Sequence, residues 1–284
     1  MIVFLNGEFV PEAQAVVSVF DRSFLYGDGL FETLRVYKGK PFRSRQHVAR
    51  LERGAKFLNI KLLYDAEQIK LAMKRLVKEN GISEGVIRMT LSRGVGVRGY
   101  SPRGAEKPTL VIATHHFEGA IPPEGWKLVL SSYRVAANDP VAMHKTCSKL
   151  PNVLARAEAE WRHAEEALIL TTDGNVAEAS GSNLFWITKG EVRTTPVRTG
   201  ILPGVTREFV IELCRAQEIG IREEDVIPEE LYQAEGVFLT LSTLGIVEVS
   251  TFENHTLARS EIVSRLIKAY GEAVEKETTD DSKQ

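Results

Sequence analysis

Apolar residues recur along the chain at two spacings, and each spacing predicts a different kind of element. Spacings of three or four residues predict amphipathic helices over 46–58, 66–79, 151–166, about 205–219 and about 260–275. Short apolar segments predict strands at 2–5, 86–92, 109–114, 126–132, 167–172, 183–188, 236–242 and 245–250. Asn6-Gly7 supplies the two positive φ values of a tight turn, so the first strand should form a hairpin with Phe9-Val10.

Helices and strands are mixed in both halves of the chain, which indicates an α/β (mixed α+β) fold. The segment EGAIPPEG at 118–125 contains two adjacent prolines, and such a pair resists both a helix and a central strand. It therefore predicts a linker between an N-terminal α/β domain, 1–117, and a C-terminal domain, 126–284. The tail from about residue 272 is polar and charged, so we expect it to be flexible.

The composition excludes several classes of protein. The 284 residues include 36 Lys+Arg and 38 Asp+Glu, and a net charge of −2 gives no general attraction to nucleic acid or anionic lipid. No apolar stretch approaches the length of a membrane span, and MIVFLNGEFV lacks the features of a signal peptide. Two cysteines, Cys147 and Cys214, are too few for a disulfide framework. We therefore expect a cytoplasmic protein without a nucleic-acid or membrane partner.

A glycine pattern at 94–99, GVGVRG, matches the G-x-G-x-x-G of dinucleotide-binding folds and follows a predicted strand. The next residues, YSPRGAEKP, contain two prolines and a glycine, which prevent the helix that would hold a pyrophosphate. The residues that follow the pattern therefore argue against a dinucleotide site. It is typical either of a flexible loop over a site, with Arg98 at its tip, or of a plain surface hairpin.

The segment GILPGVT at 200–206 has the features of an anion site. Pro203-Gly204 predicts a turn, and a helical pattern begins directly after it. The first N–H groups of a helix lack intrahelical acceptors and lie at the positive end of its dipole, so Val205 and Thr206 could bind a phosphate. The alternative is an ordinary helix start that Thr206 caps.

Two charged residues have both a structural and a chemical interpretation. Lys145, between a predicted strand and a predicted helix, is either a solvated loop charge or a desolvated amine that attacks carbonyl carbon. Glu178 is either a turn-stabilising group or a buried charge with a specific partner. Its small neighbours would let a flat ring approach the backbone. His115-His116 has no companion cluster at ligand spacing, so we predict no metal site.

Seven segments, taken together and in order, resemble the class IV (fold-type IV) pyridoxal-phosphate enzymes. This family includes branched-chain aminotransferase, D-amino acid aminotransferase and aminodeoxychorismate lyase. The segments extend from about residue 2 to about residue 270. They are NGEFV, DRSFLYGDGLFETLRV at 21–36, HVARLERG at 47–54, HKTCSKLPNVLARAEA at 144–159, EALILTTDGNVAEASGSNLF at 166–185, GILPGVTRE at 200–208 and FLTLSTLGIVEV at 238–249.

The resemblance implies a fold, a cofactor and a set of site residues. It implies a small N-terminal α/β domain, a larger C-terminal domain, pyridoxal 5'-phosphate between them, and a homodimer. Lys145 matches the lysine that forms the Schiff base, and Glu178 matches the acid that pairs with the pyridine nitrogen. The residues that match phosphate or ring contacts are Arg50, Leu202, Val205, Thr206 and Thr243. Tyr26 and Arg35 match positions on the substrate side.

Within the family, three features favour aminodeoxychorismate lyase, which releases 4-aminobenzoate and pyruvate. The loop at 92–101 is similar to the RGxGxRGY loop of that lyase and carries Arg98, and Thr33 matches a threonine typical of it. Branched-chain aminotransferases carry an aromatic-x-arginine signature, and this chain has Val86-Ile87-Arg88 there, without the aromatic residue. Arg88 stands where the lyase often has lysine, and it still offers a cation to a carboxylate. Lys149 is a second departure, to which we assign no role. The alternative is a transaminase acting on D-amino acids, branched-chain L-amino acids or amines.

Overall fold

The computed structural model describes residues 1–117, 119, 121–122 and 124–279. The chain divides into two compact units. The first contains the described residues within Met1–Glu118, His144–Lys149 and Glu277–Gln284, and the second those within Gly119–Met143 and Leu150–Lys276. Parts of the predicted linker (118, 120 and 123) and of the predicted tail (280–284) lie outside the described residues.

The first unit is built on one antiparallel sheet. In chain order its elements are β1 (Ile2–Leu5), β2 (Glu8–Pro11), α1 (Arg22–Tyr26), β3 (Gly29–Tyr37), β4 (Lys40–Pro41), α2 (Ser44–Phe57), α3 (Ala66–Glu79), β5 (Gly85–Ser92) and β6 (Thr109–His116). Among the described residues the sheet has six strands in the order β2-β1-β6-β5-β3-β4. The predicted hairpin is confirmed, because Asn6 and Gly7 have φ values of 51° and 99°.

The core of the first unit lies between its sheet and helices α2 and α3. Val48 and Leu51 of α2 and Met73 of α3 are almost fully buried, together with Leu34 of β3 and Ile87 of β5. Helix α3 begins at a capping box in which Asp65 and Gln68 exchange hydrogen bonds. The spacing that predicted these helices therefore reflects the face that each buries.

Residues His144–Lys149 belong to the first unit, although the division made from the sequence placed them in the second domain. The amide of Phe31 donates to the carbonyl of Lys145, and the amide of Cys147 donates to the carbonyl of Gly29, both at 2.9 Å. The His144 ring also stacks on Phe57 of α2, with centroids 4.1 Å apart. Backbone pairing therefore fixes the lysine segment to β3, a strand more than a hundred residues earlier in the chain.

The second unit is built on a larger mixed sheet. Its elements are β7 (Trp126–Val135), α4 (Leu150–Trp161), β8 (Glu166–Thr171), β9 (Val176–Ala179), β10 (Asn183–Thr188), β11 (Glu191–Thr194), α5 (Val205–Ala216), β12 (Ile221–Glu223), β13 (Gly236–Leu241), β14 (Gly245–Phe252), β15 (His255–Thr256) and α6 (Glu261–Thr279). In the described part of the chain, the strand order is β12-β11-β10-β13-β14-β7-β8-β9, with β15 beside β14. Its core includes the stacked rings of Phe185 and Phe238, whose centroids are 4.9 Å apart.

Several elements of the second unit differ from the prediction. Helix α4 ends at Trp161 instead of residue 166, because the chain turns through His163 at a φ of 55°. The short strands β9, β11, β12 and β15 were not predicted. Helix α6 continues to Thr279, past residue 272 where we expected a flexible tail, and it buries Val274 and Thr278. Residues 272–279 are therefore helical, and two of them are buried.

Candidate active site

The Lys145 amine lies against an aromatic ring of β3. Its Nζ atom is 4.5 Å from the centroid of the Phe31 ring, and the Arg88 guanidinium carbon is 3.7 Å from the same centroid. Thr33 pairs with Arg88 in the register of β3 and β5, so these residues share one face of the sheet with Phe31. Lys145 is half-buried, which excludes the interpretation of a fully solvated loop charge. Two cations and a hydroxyl thus lie close together on this face.

The opposite face of β3 carries a buried ionic network. Arg50 of α2 donates from Nε and Nη2 to the two carboxylate oxygens of Glu32, at 2.7 and 2.8 Å. Both residues are at most 5% exposed. Burial by itself raises the pKa of the Glu32 carboxyl, but the Arg50 charge and the hydrogen bonds from Arg50 and His47 lower this pKa to about 2. Glu32 is therefore ionised at neutral pH.

His47 is the third member of this network. Its Nδ1 lies 2.7 Å from Glu32 Oε2. Burial lowers the pKa of His47, Glu32 opposes that shift, and the charges of Arg50 and Lys145 add to the lowering. His47 is therefore neutral at pH 7, and its Nδ1–H donates to Glu32. At pH 7 the network therefore consists of one arginine cation, one carboxylate anion and one neutral imidazole.

The remaining residues on the predicted substrate side have different environments. Arg35 donates to Glu84 at 2.9 Å and lies over the Phe117 ring, so its charge is already paired. The side chain of Arg98 is exposed. Tyr26 ends α1, and its hydroxyl accepts a hydrogen bond from the Gly99 amide at 3.1 Å. Of the predicted substrate residues, Thr33 and Arg88 lie on the same sheet face as Phe31.

The loop that carries the glycine pattern is tied to α1. The buried Arg22 guanidinium donates to the carbonyls of Gly99, Tyr100 and Ser101, at 2.9 to 3.1 Å. No helix follows the pattern within residues 93–108, in agreement with the argument against a dinucleotide site. Arg22 therefore fixes the main chain on the C-terminal side of Arg98.

In the second unit, the Glu178 carboxylate is held by two donors on one oxygen. The Leu202 amide and the Asn183 Nδ2 each lie 3.0 Å from Glu178 Oε2. Asn183 Nδ2 also donates to the Leu202 carbonyl at 2.9 Å. Glu178 is half-buried at the centre of strand β9. It is therefore a charge with specific partners, one of the two interpretations made from the sequence.

Helix α5 begins directly after the turn that contains Leu202. Gly204 is its N-cap, and no side chain donates or accepts a capping hydrogen bond there. The alternative interpretation of Thr206 as a cap is therefore wrong. Val205 and Thr206 form the first turn, whose N–H groups have no intrahelical acceptors, as in an anion site. Thr243 lies in the turn between β13 and β14.

Four residues of these two sets were not predicted from the sequence. They are Phe31, Glu32, His47 and Asn183. A signal existed for Glu32, since it is a charged residue at a core-facing position of an alternating strand, and such a charge needs a buried partner. In the described part of the chain, no group of three or more His, Cys, Asp or Glu side chains is arranged to hold a metal ion. No described helix is long and apolar enough to cross a membrane.

Comparisons with known proteins identify the family. The sequence profile of Amino-transferase class IV matches residues 29–252. The chain is 34% identical to aminodeoxychorismate lyase of Bacillus subtilis, over 95% of this chain and 93% of that protein. It is 31% identical to D-alanine aminotransferase of Staphylococcus epidermidis, over 92% of each.

A solved structure agrees with these similarities over nearly the whole chain. The branched-chain aminotransferase of Thermoproteus uzoniensis superposes with a TM-score of 0.91 at 31% identity, covering 96% of this chain and 94% of the other. The described elements are thus those of a fold-type IV enzyme. The chain belongs to the class IV aminotransferases, a family of enzymes that depend on pyridoxal 5'-phosphate.

Proposed function

We propose that this protein is a 4-amino-4-deoxychorismate lyase, which removes a proton from the amine-bearing carbon and releases 4-aminobenzoate and pyruvate. The observation that carries the proposal is the contact of Lys145 and Arg88 with the same Phe31 ring, with Thr33 paired to Arg88. This arrangement puts a proton acceptor and a carboxylate-binding cation on one surface.

Each of the two units carries residues that we assign to the cofactor. Arg50, the start of α5 at Val205 and Thr206, and Thr243 would bind its phosphate. Glu178 would keep the ring nitrogen protonated, and Leu202 would pack against the ring. When bound, pyridoxal phosphate supplies an electron-withdrawing ring that makes the proton on the amine-bearing carbon acidic.

The protein's own groups then perform the proton transfer and fix the substrate. The Lys145 amine, in its neutral form, takes the proton from the amine-bearing carbon. Arg88 binds a carboxylate through its planar guanidinium, which the Phe31 ring supports. The substrate of the lyase has two carboxylates, and Arg98 supplies a second cation from the 92–101 loop. Departure of the enolpyruvyl group from the neighbouring carbon leaves an aromatic ring.

A transaminase is the second candidate function. It is supported by the 31% identity to D-alanine aminotransferase and by the superposition on a branched-chain aminotransferase. Arg88 suits the single carboxylate of an amino acid as well as it suits the lyase substrate. In this case Lys145 would give back the proton that it takes, the substrate would leave as a carbonyl compound, and its amino group would pass to a 2-oxo acid.

One enzyme preparation tests both functions. Aminodeoxychorismate is added, and 4-aminobenzoate is measured by fluorescence while pyruvate is measured with lactate dehydrogenase. D- and L-amino acids are added separately, and the visible absorption of the bound cofactor is followed. We expect equal amounts of 4-aminobenzoate and pyruvate, and none with Lys145→Ala. A full loss of the visible band with an amino acid, without lyase turnover, contradicts the lyase and identifies a transaminase.

We also propose that the protein forms a homodimer through the segment that precedes and includes α1. This segment exposes an unusual number of large apolar side chains, which are Val16, Val17, Val19, Phe20, Phe24 and Leu25. Phe24 is 74% exposed and Phe20 is 65% exposed. Large apolar side chains that are exposed close together along one segment are typical of a protein interface. Light scattering should give twice the chain mass, and Phe24→Asp should give the monomer mass. A wild-type protein that scatters as a monomer contradicts the proposal.

A further inference from the structure

Asn183 contacts both the carboxylate of Glu178 and the turn that precedes α5. Its Nδ2 donates to Glu178 Oε2 and to the Leu202 carbonyl. Both acceptors are oxygen atoms, so this arrangement requires the amino group, and the amide can adopt only one orientation. The residue is 5% exposed, which shields both hydrogen bonds from water.

The Oδ1 atom of the same amide lies beside Gly204, the N-cap residue of α5. A Cβ atom at Gly204 would overlap Asn183 Oδ1, so the glycine is required by this contact. The φ of Gly204 is −71°, which any residue adopts, so the requirement is steric and not conformational. Asn183 therefore contacts the N-cap of α5 as well as Glu178.

The backbone of Asn183 is fixed independently. It is the first residue of β10 and pairs with Thr240 in the centre of the large sheet. The Leu202 amide completes a closed set of contacts by donating to the same Glu178 oxygen. A rigid strand thus presents one amide to a carboxylate on a second strand and to a turn that leads into a helix.

We propose that Asn183 is a positioning residue that holds Glu178 and the start of α5 in one fixed relation. The inference rests on the proposed function, in which Glu178 meets the ring nitrogen of the cofactor and the start of α5 meets its phosphate. The amide then sets the direction of the Glu178 carboxylate, so that the charge reaches the ring nitrogen. Without this amide, Glu178 Oε2 keeps the hydrogen bond from the Leu202 N–H and loses the one from Asn183.

The pH dependence of the cofactor's visible absorption measures this positioning. A misdirected Glu178 stabilises the protonated ring nitrogen less. The ring then withdraws less electron density from the nitrogen that joins Lys145 to the cofactor, and the pKa of that nitrogen rises. We expect Asn183→Ala to move the midpoint of the absorption change to higher pH by about one unit. Asn183→Asp keeps the shape of the side chain but opposes the Glu178 charge, so its shift should be at least as large.

The Glu178→Gln protein is a second background, in which a positioning role of Asn183 can be distinguished from a general loss of structure. If Asn183 acts through the charge of Glu178, Asn183→Ala should cause no further shift in a Glu178→Gln protein. Thr194→Val is the matched control, because Thr194 is buried and donates one hydrogen bond to the Leu184 carbonyl without contacting Glu178. Its midpoint should equal that of the wild type, and thermal unfolding should show that all variants are folded.

The outcomes distinguish this inference from the proposed function. Borohydride reduction of the wild-type holoenzyme should attach the cofactor to Lys145, as detected by mass spectrometry. A protein that takes no label contradicts the proposed function itself. A labelled wild type in which Asn183→Ala and Asn183→Asp keep the wild-type midpoint contradicts only the positioning role. An equal shift in the Glu178→Gln background contradicts it as well.

Discussion

Arg50 and Glu32 form a buried ion pair in which each carboxylate oxygen accepts one guanidinium hydrogen bond. The arginine that we assign to the cofactor phosphate therefore already has a counter-ion. In the proposed function Arg50 would offer directed hydrogen bonds from a fixed plane, since Glu32 on β3 accepts two of its hydrogen bonds and is itself held by His47 on α2.

The Glu32 network predicts a specific loss of stability in acid. The folded-state pKa of Glu32, about 2, lies below its ordinary value of 4.5, so its contribution is complete above pH 4.5 and is lost as the pH falls toward 2. The difference corresponds to about 3 kcal/mol of unfolding free energy. Urea unfolding of the apo protein at several pH values measures it.

Two variants check the origin of that loss. Glu32→Gln should destabilise the protein at pH 7 by about 3 to 5 kcal/mol, because it leaves Arg50 buried without its anion, and it should flatten the acid dependence. Glu84→Gln removes the half-exposed partner of Arg35 and should cost less than about 1 kcal/mol. Equal losses of unfolding free energy in the two variants would show that the buried ion pair stabilises the protein no more than the exposed one.

The protonation state of His47 can be observed directly. Because burial and the nearby cations keep its pKa below the ordinary 6.5, the imidazole should stay neutral as the pH falls through 6.5. Below that pH the unfolded chain binds a proton that the folded protein does not, so stability decreases. Nitrogen NMR of the apo protein should show a proton on Nδ1 and no titration near 6.5. A charged ring at pH 6.5 would contradict this assignment.

Arg88 and Arg35 should differ sharply in their effect on substrate binding. Arg88→Gln removes the cation beside Lys145, and we expect KM to rise by about 10- to 100-fold from the loss of a charge-assisted contact. Arg35→Gln removes a cation that is already paired with Glu84, so KM should change by less than about threefold. Steady-state kinetics with the substrate identified by the assays above provides the comparison. A larger effect at Arg35 would place the carboxylate elsewhere.

Gly204→Ala should weaken cofactor binding through a steric conflict with Asn183. The added methyl group would overlap Asn183 Oδ1, and the turn before α5 must move to relieve the overlap. We expect the dissociation constant for pyridoxal phosphate to rise about 5- to 150-fold, as an overpacked site costs about 1–3 kcal/mol. In an Asn183→Ala background the obstructing oxygen is absent, so the same substitution should have little further effect. Fluorescence titration measures both, and additive effects would contradict the steric explanation.

Local periodicity was sufficient to predict most elements of the fold. Helices α2 and α3 were placed to within two residues, since each buries one continuous apolar face. The end of α4 was not, because it depends on a left-handed residue, His163, that carries no strong sequence signal. The helical residues 276–279 were missed for a different reason. Their polar composition resembles a free tail, yet Thr278 is buried.

The candidate site was predicted mainly where the chain resembles a known family. Lys145, Arg50 and Glu178 were proposed as site residues in this way. Their supporting partners were not, because Glu32 and His47 are 15 residues apart and meet only when a strand packs against a helix. Asn183 is, in the sequence, simply the polar residue before an apolar strand. No periodicity shows that its amide reaches a turn 19 residues later.

The attachment of residues 144–149 to β3 has a consequence for synthesis on the ribosome. A nascent chain that has emerged up to residue 143 has delivered all six strands of the first sheet, but not the segment with the lysine. Until that segment emerges, the Gly29 carbonyl and the Phe31 amide lack their final partners. The amine at position 145 therefore docks late, onto a sheet whose strands have already been translated.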